Sequence, residues 1–146
     1  MRNLSRLLNP KSIAVIGGGA WCTSIIVAAH QIGFEGILRP VHPSGKIIAG
    51  IPSLPSLDQF PGPIDAAFIG VNRHATLDIV TQLRSLGAGG ATCFASGFSE
   101  SAAEDEAGHD LQAQLIVAAG DMPILGPNCY GFLNALDGCG IWPDQH

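Results

Sequence analysis

Five short apolar runs, none of them alternating with polar residues, constrain this chain more than any other feature. Ser12–Gly17 (SIAVIG), Gly36–His42 (GILRPVH), Asp65–Val71 (DAAFIGV), Gly90–Ala95 (GATCFA) and Met122–Leu125 (MPIL) are nearly continuous in apolar character. Parallel strands covered on both faces read this way. Between the runs the spacing becomes helical. Ile25, Ala28, Ala29 and Ile32 fall at i, i+3, i+4 and i+7, and Gly33 supplies a stop. Thr76, Ile79, Val80 and Leu83 repeat that spacing, with Asn72 placed to cap it. A third helix is predicted to begin near Ser101, where Ser101 and Glu104 have capping-box spacing, and to carry Leu111 and Leu115 to the core. Strands alternating with helices predict an α/β, Rossmann-like doubly wound parallel sheet of about five strands, with helices on both faces.

Two stretches break the rhythm. Residues 40–63 hold six of the ten prolines, so the second crossover is expected to be mostly loop, with one turn at Ser56–Phe60. The segment after Leu125 is rich in turn residues, and a short hairpin is expected around Asp137–Gly138. The 146 residues suit a single domain, and the closing IWPDQH reads as a cut from a longer multidomain chain.

Composition narrows the function classes. Apolar residues make up 47% and charged residues 13%, which is too apolar for a disordered chain. A net charge of -5 with no Lys/Arg cluster argues against nucleic acid as a partner. No apolar run reaches the roughly 20 residues that a membrane helix needs, and MRNLSRLLNPK lacks the apolar stretch of a signal peptide. The expected location is the cytoplasm. Cys22, Cys93, Cys129 and Cys139 form no CxxC pair and have no histidine at metal-ligand spacing, so free, mostly buried thiols are expected and no metal site.

The chemistry begins at SIAVIGGGAWCTSII, Ser12 to Ile26, where a strand breaks into three glycines and a helix follows. Free backbone N–H groups and the helix dipole at such a junction favour an anion. A dinucleotide fingerprint needs G-x-G-x-x-G and an acid about 20 residues on. Gly17 and Gly19 fit, but the third position is Cys22, and Pro40–Ser44 carries no carboxylate. The pattern therefore predicts phosphate binding and disfavours NAD(P). Ser44 and Lys46, small polar and cationic, stand where an acid would hold ribose hydroxyls, which suits a nucleotide with a phosphate on or near its ribose.

Four segments taken together resemble the N-terminal coenzyme A-binding domain of the NDP-forming acyl-CoA synthetases, the superfamily of the succinyl-CoA synthetase alpha subunit. They are LLNPKSIAVIGGG (Leu7–Gly19), RPVHPSGKIIAGIPSLPSLDQFPGPIDAAFIGV (Arg39–Val71), ASGFSE (Ala95–Glu100) and LGPNCYGFLN (Leu125–Asn134). The resemblance implies that coenzyme A binds at the carboxyl edge of the sheet. By this mapping Gly18, Gly19, Ala20 and Trp21 wrap phosphate, and the Pro43, Ser44 and Lys46 turn reaches the nucleotide phosphates. Val71 and Asn72 line the adenine or pantetheine path. Ala95, Ser96 and Gly97 flank the pantetheine arm, and Asn128 orders the turn that faces the reactive end. Trp21 has two readings, stacking on adenine or covering the first helix turn.

The chain departs from the family pattern at three points. The glycine loop is the shorter GGGAWC, the motif asparagine is His42, and the lysine expected after the proline is Ser44, with Lys46 two positions on. The resemblance also implies an ATP or GTP site with Mg on an ATP-grasp module and a phosphorylated histidine on a further domain, neither of which matches any part of this chain. The expected function is thus the coenzyme A-binding domain of an NDP-forming acid–thiol ligase, positioning coenzyme A without turnover of its own. The alternatives are a stand-alone coenzyme A-binding module and an NAD(P)-binding Rossmann protein.

Overall fold

The computed structural model describes residues 2–101 and 107–144. Helix α1 (Ser5–Leu8) leads into β1 (Ser12–Ile16), α2 (Ala20–Gln31) and β2 (Ile37–Val41). The next crossover contains β3 (Ile47–Ile48) and β4 (Ile51–Pro52) before β5 (Ala66–Ile69). There follow α3 (Arg73–Ser85), β6 (Ala91–Cys93), α4 (Ala107–Ala119), β7 (Ile124–Leu125), β8 (Phe132–Asn134) and β9 (Cys139–Ile141).

Five strands form one sheet in the order β2-β1-β5-β6-β7, each neighbouring pair parallel. Ile13 is in register with Leu38 on one side and Ala66 on the other. The chain winds outward from β1 in both directions, so the order reverses between β1 and β5, where open α/β sheets leave a crevice at their carboxyl edge. Successive side chains of a strand point to opposite faces, and the core divides accordingly. Ile13 and Val15 pack with Ala66 and Phe68 under Cys22, Ile25, Ile26 and Ala29 of α2. Ala14 and Ile16 pack with Ala67 and Ile69 under Val80 and Leu83 of α3 and Leu111 and Leu115 of α4. Both faces of β1, β5 and β6 are covered, which is why those strands carry no polar alternation, whereas the edge strand β2 leaves Ile37 and Arg39 exposed. Burying one such Ile, Leu or Phe contributes about 1.5–3 kcal/mol.

Helix ends follow from local chemistry. After α2, Gly33 takes φ 88°, its N–H donates to His30 O (3.1 Å), and the Phe34 N–H donates to Ala29 O (3.0 Å). That paired pattern satisfies carbonyls the helix would leave open. Asn72 caps α3 as expected, its Oδ1 accepting from the Ala75 N–H at 2.9 Å. Ser99–Ser101 is a single 3-10 turn, α4 is described from Ala107 on, and the expected helix start just after Ser101 falls in residues 102–106, outside the described residues. Glu104, the second half of the expected capping box, lies outside the described residues.

The proline-rich crossover is more structured than a loop. The expected turn is present as a 3-10 segment, Leu57–Gln59, flanked by Ser56 and Phe60 and burying Leu57. The antiparallel ribbon β3–β4 was not anticipated. Its turn residues Ala49 and Gly50 have φ 49° and 78°, the left-handed pair a two-residue hairpin requires. Alanine at the first of these positions hides the signal. Beyond the ribbon, Leu54 bridges Val41 in parallel and covers the outer edge of β2. The hairpin expected around Asp137–Gly138 is β8–β9, with Asn134 opposite Cys139.

Candidate functional site

The strand-to-helix turn after β1 is built around glycine for steric reasons. Gly17 has φ 124°, and a Cβ there would lie 2.5 Å from Gly70 O. Its N–H donates to Val41 O at 3.1 Å, joining the ends of β1 and β2. Gly19 is the N-cap of α2 with extended backbone and no capping side chain, and a Cβ there would meet nothing within 4 Å. The first N–H groups of α2, those of Ala20 and Trp21 included, have no intrahelical acceptor. They open at the carboxyl edge of the sheet.

Lys46 reaches back onto this turn. Its Nζ donates to Gly18 O at 2.8 Å, and a Cβ on Gly18 would fall 2.5 Å from Lys46 Cε and 2.6 Å from His42 Cδ2. The turn from His42 to Gly45, closed by the Gly45 N–H donating to His42 O at 2.9 Å, brings Lys46 back beside Gly18. His42 Nδ1 lies 2.8 Å from Ser44 Oγ and accepts from the Ser44 N–H at 3.2 Å. A bare backbone, a cation and free helix N–H groups therefore converge, and they fit a phosphate-bearing ligand.

Beside them a cleft of about 490 Å³ opens between the ends of β1, β2 and β5 and the flank of α3. Of the site residues expected from the sequence, Gly18, Pro43 and Val71 line it, together with the fingerprint glycine Gly17 and His42. Its remaining walls include Ser56, Leu57, Asp78 and Gln82, which sequence reasoning missed. Asp78 and Gln82 are four apart with Ala75 one turn before, so they share a face of α3, but nothing in their types marks that face. A second depression of about 330 Å³, lined by Lys11, Glu35 and Gly138 among others, contains none of the site residues expected from the sequence.

The other motif residues form a second cluster. The Asn128 N–H donates to Ala95 O at 2.9 Å and the Cys129 N–H to Cys93 O at 3.1 Å, which fastens the Gly-Pro-Asn turn to the end of β6. Asn128 takes φ 53°, a left-handed conformation that asparagine tolerates better than most residues. Gly97 has φ 92°; its N–H donates to Glu100 Oε1 (2.8 Å), and its carbonyl accepts from Arg73 Nη1 (2.7 Å). Arg73 directly follows Asn72, so α3 and the Ala95–Gly97 turn are tied together. Desolvation works against the Glu100 carboxylate, but the N–H groups of Glu100, Gly97 and Phe98 outweigh it and hold its pKa below the ordinary value.

Trp21 packs on protein rings, its centroid 5.0 Å from Phe94 and 5.7 Å from Tyr130. It is not part of the cleft wall that holds Pro43 and Val71. All four cysteines are free thiols, and Cys22, Cys93 and Cys139 are buried. Burial pushes the Cys22 and Cys139 thiols up, and it pushes Cys93 up to about 12 with help from neighbouring Cys129. Thiols so disfavoured as anions are poor nucleophiles. His30, His74 and His109 are exposed, apart from either cluster.

A glycine turn, an apposed lysine and a cleft at the point where strand order reverses define a nucleotide-binding α/β domain. Residues 11–135 match the family described as a CoA binding domain. The chain belongs to that family. It is 34% identical over 140 residues to a trans-feruloyl-CoA synthase of an unknown prokaryotic organism, an alignment covering 93% of this chain and 20% of that protein. It is 32% identical over 142 residues to the ADP-forming acetate–CoA ligase II of Archaeoglobus fulgidus, covering 93% and 21%. The dinucleotide-forming acetyl-coenzyme A synthetase 1 of Ca. Korarchaeum cryptofilum, solved with phosphate and ADP, superposes with a TM-score of 0.86 at 28% identity, over 97% of this chain and 31% of that one. The chain thus spans about a fifth to a third of these three relatives, and resembles the N-terminal part of ADP-forming acyl-CoA synthetases. Neither the NAD(P) reading nor that of a stand-alone module is favoured by these relatives. No helix among the described residues is long and apolar enough to cross a membrane.

Proposed function

We propose that this CoA-binding domain serves an ADP-forming acid–CoA ligase, holding coenzyme A so that its thiol faces an acyl group activated on other domains. The contribution is positioning, which converts an encounter between two molecules into a reaction within one complex. The observation that carries this reading is Lys46 Nζ seated 2.8 Å from Gly18 O, a cation placed over a backbone with no side chains of its own. Gly18, Gly19, Ala20 and Trp21 offer backbone to the phosphates, and Pro43, Ser44 and Lys46 bound them on the other side. Val71 and Asn72 carry the path onward to Ala95, Ser96, Gly97 and Asn128, which flank the pantetheine arm. Nucleotide, Mg and the phosphorylated histidine belong to ATP-grasp and phosphohistidine domains or subunits that partner this one in the cytoplasm. The relatives' names include acetate, 4-hydroxybutyrate and feruloyl among their acids, so membership leaves the acid open.

Calorimetric titration with coenzyme A, dephospho-CoA and NADH tests the reading. Coenzyme A should bind, with affinity reduced by loss of the 3′-phosphate and by Lys46→Ala. NADH binding without a response to coenzyme A would overturn it.

A further inference from the structure

His42, the first residue past β2, replaces the asparagine of the family pattern, and it is half-buried in the wall of the cleft. Its backbone is held on both sides. The N–H donates to Leu54 O at 2.9 Å, and the carbonyl accepts from the Gly45 N–H at 2.9 Å. The ring is oriented as well, because Ser44 brings two groups to one of its nitrogens. The Ser44 N–H lies 3.2 Å from Nδ1 and Ser44 Oγ lies 2.8 Å from it. A backbone N–H can only donate, so Nδ1 is an acceptor and the ring proton is carried on Nε2. Among the described residues no acceptor meets that Nε2–H. Cδ2, the atom bonded to Nε2, lies 2.6 Å from the point a Cβ on Gly18 would occupy, and Lys46 Nζ lies 2.6 Å from the same point. An unused donor and a cation thus stand over the bare backbone of Gly18, close enough for one phosphate group to touch both.

We propose that His42 reads the phosphate on the coenzyme A ribose. Its Nε2–H donates to the 3′-phosphate beside Lys46, which makes His42 a residue that separates coenzyme A from its dephospho form. The inference rests on the coenzyme A reading and adds a specificity-determining residue to that site.

Position and charge select this phosphate over the diphosphate. In a doubly wound sheet the glycine turn after the first strand and the helix that follows face the diphosphate, while the end of the second strand faces the ribose. His42 stands at that second position. A carboxylate there accepts from free ribose hydroxyls, and a cationic group there accommodates a ribose phosphate. A ring nitrogen that donates, beside a lysine, matches the second case, because the oxygens of an ionised phosphate only accept. The α3 wall of the cleft carries the opposite charge. Asp78 lines it, and its carboxylate has no hydrogen-bond or ion-pair partner among the described residues. An anion on that wall repels phosphate and keeps it on the His42 and Lys46 side. Leu57, Val71 and Ile79 in the same cleft offer apolar surface to the faces of adenine.

The test is calorimetric titration of the parent chain, His42→Asn and His42→Gln with coenzyme A and dephospho-CoA, with melting temperatures as the check on folding. Glutamine carries its amide nitrogen out to the reach of Nε2, whereas asparagine stops at the reach of Nδ1. His42→Asn should weaken coenzyme A about tenfold, the scale of one hydrogen bond to a charged group, and leave dephospho-CoA unchanged. His42→Gln should keep coenzyme A within about twofold of the parent. An equal loss for both ligands in folded His42→Asn, no loss in it, or a loss in folded His42→Gln as large as in His42→Asn would overturn the inference while coenzyme A binding stood. A parent chain that binds neither ligand would overturn the underlying reading, and the inference with it.

Discussion

Two adjacent glycines should respond to the same substitution in opposite ways. In Gly17→Ala the new methyl must sit 2.5 Å from Gly70 O and 3.0 Å from Cys22 Sγ, on a residue whose φ is 124°. Backbone in a region reserved for glycine costs about 1–3 kcal/mol, and forcing an extra carbon into a packed core costs about 1–3 kcal/mol more. Neither neighbour can withdraw cheaply. Gly70 is held through its N–H to Ile16 O at 2.8 Å, and Gly17 through its own to Val41 O at 3.1 Å, so relief means parting β1 from β2 or β5. A loss near the middle of that range, about 4 kcal/mol, lowers the melting temperature by roughly 10 °C in a domain of this size. In Gly18→Ala the close atoms are the ends of the Lys46 and His42 side chains, which can swing aside. Its melting temperature should stay within about 2 °C, while coenzyme A affinity falls because Lys46 is displaced. Thermal unfolding followed by circular dichroism, with calorimetry on the folded variants, reads both. A Gly17→Ala variant as stable as the parent, or equal destabilisation by the two, would refute the reasoning.

Further outcomes follow from the helix cap and from the acid beside the site. Asn72→Ala removes the acceptor of the Ala75 N–H and should lower stability by about 1 kcal/mol, measured by urea unfolding, with Asn72→Asp retaining most of it. Glu100 has a lowered folded-state pKa, so its contribution is complete above the ordinary glutamate value and is lost as pH falls through the depressed one. Urea unfolding against pH should show the parent more stable than Glu100→Gln at neutral pH and converging with it in acid; a constant gap would argue against the Gly97 N–H as its partner.

The sheet was legible because both faces of its central strands are buried. That requirement writes itself into the strands as unbroken apolar runs, and all five runs contain sheet strands. The strands are shorter than the runs, as at Gly90–Ala95, where only Ala91–Cys93 pair, because apolar character continues past the last ladder bond into the core. Backbone-driven features were legible only where a telling residue stood at the turn. Gly33 announced the end of α2, but Ala49 concealed the β3–β4 ribbon. The glycine turn and its lysine could be read as a phosphate site from residue types alone. The cleft wall on α3 and the rings around Trp21 could not, since Asp78, Gln82, Phe94 and Tyr130 meet their neighbours only through tertiary packing.

The β8–β9 hairpin has a further bearing on how this domain reaches its native state. Ile141 is fully buried in the same core as Leu7 and α2, and Asn134 Nδ2 donates to Leu8 O at 2.9 Å across 126 positions of chain. Segments from opposite ends of the sequence thus seal one face of the sheet. As the chain emerges from a ribosome, β1, α2 and β2 can come together early, but the apolar patch around Leu7 and Ile26 stays open until residue 141 is free of the exit tunnel. Synthesis from the N-terminus therefore leaves a waiting period in which nascent chains expose that patch, and it is there that a chaperone would find this domain.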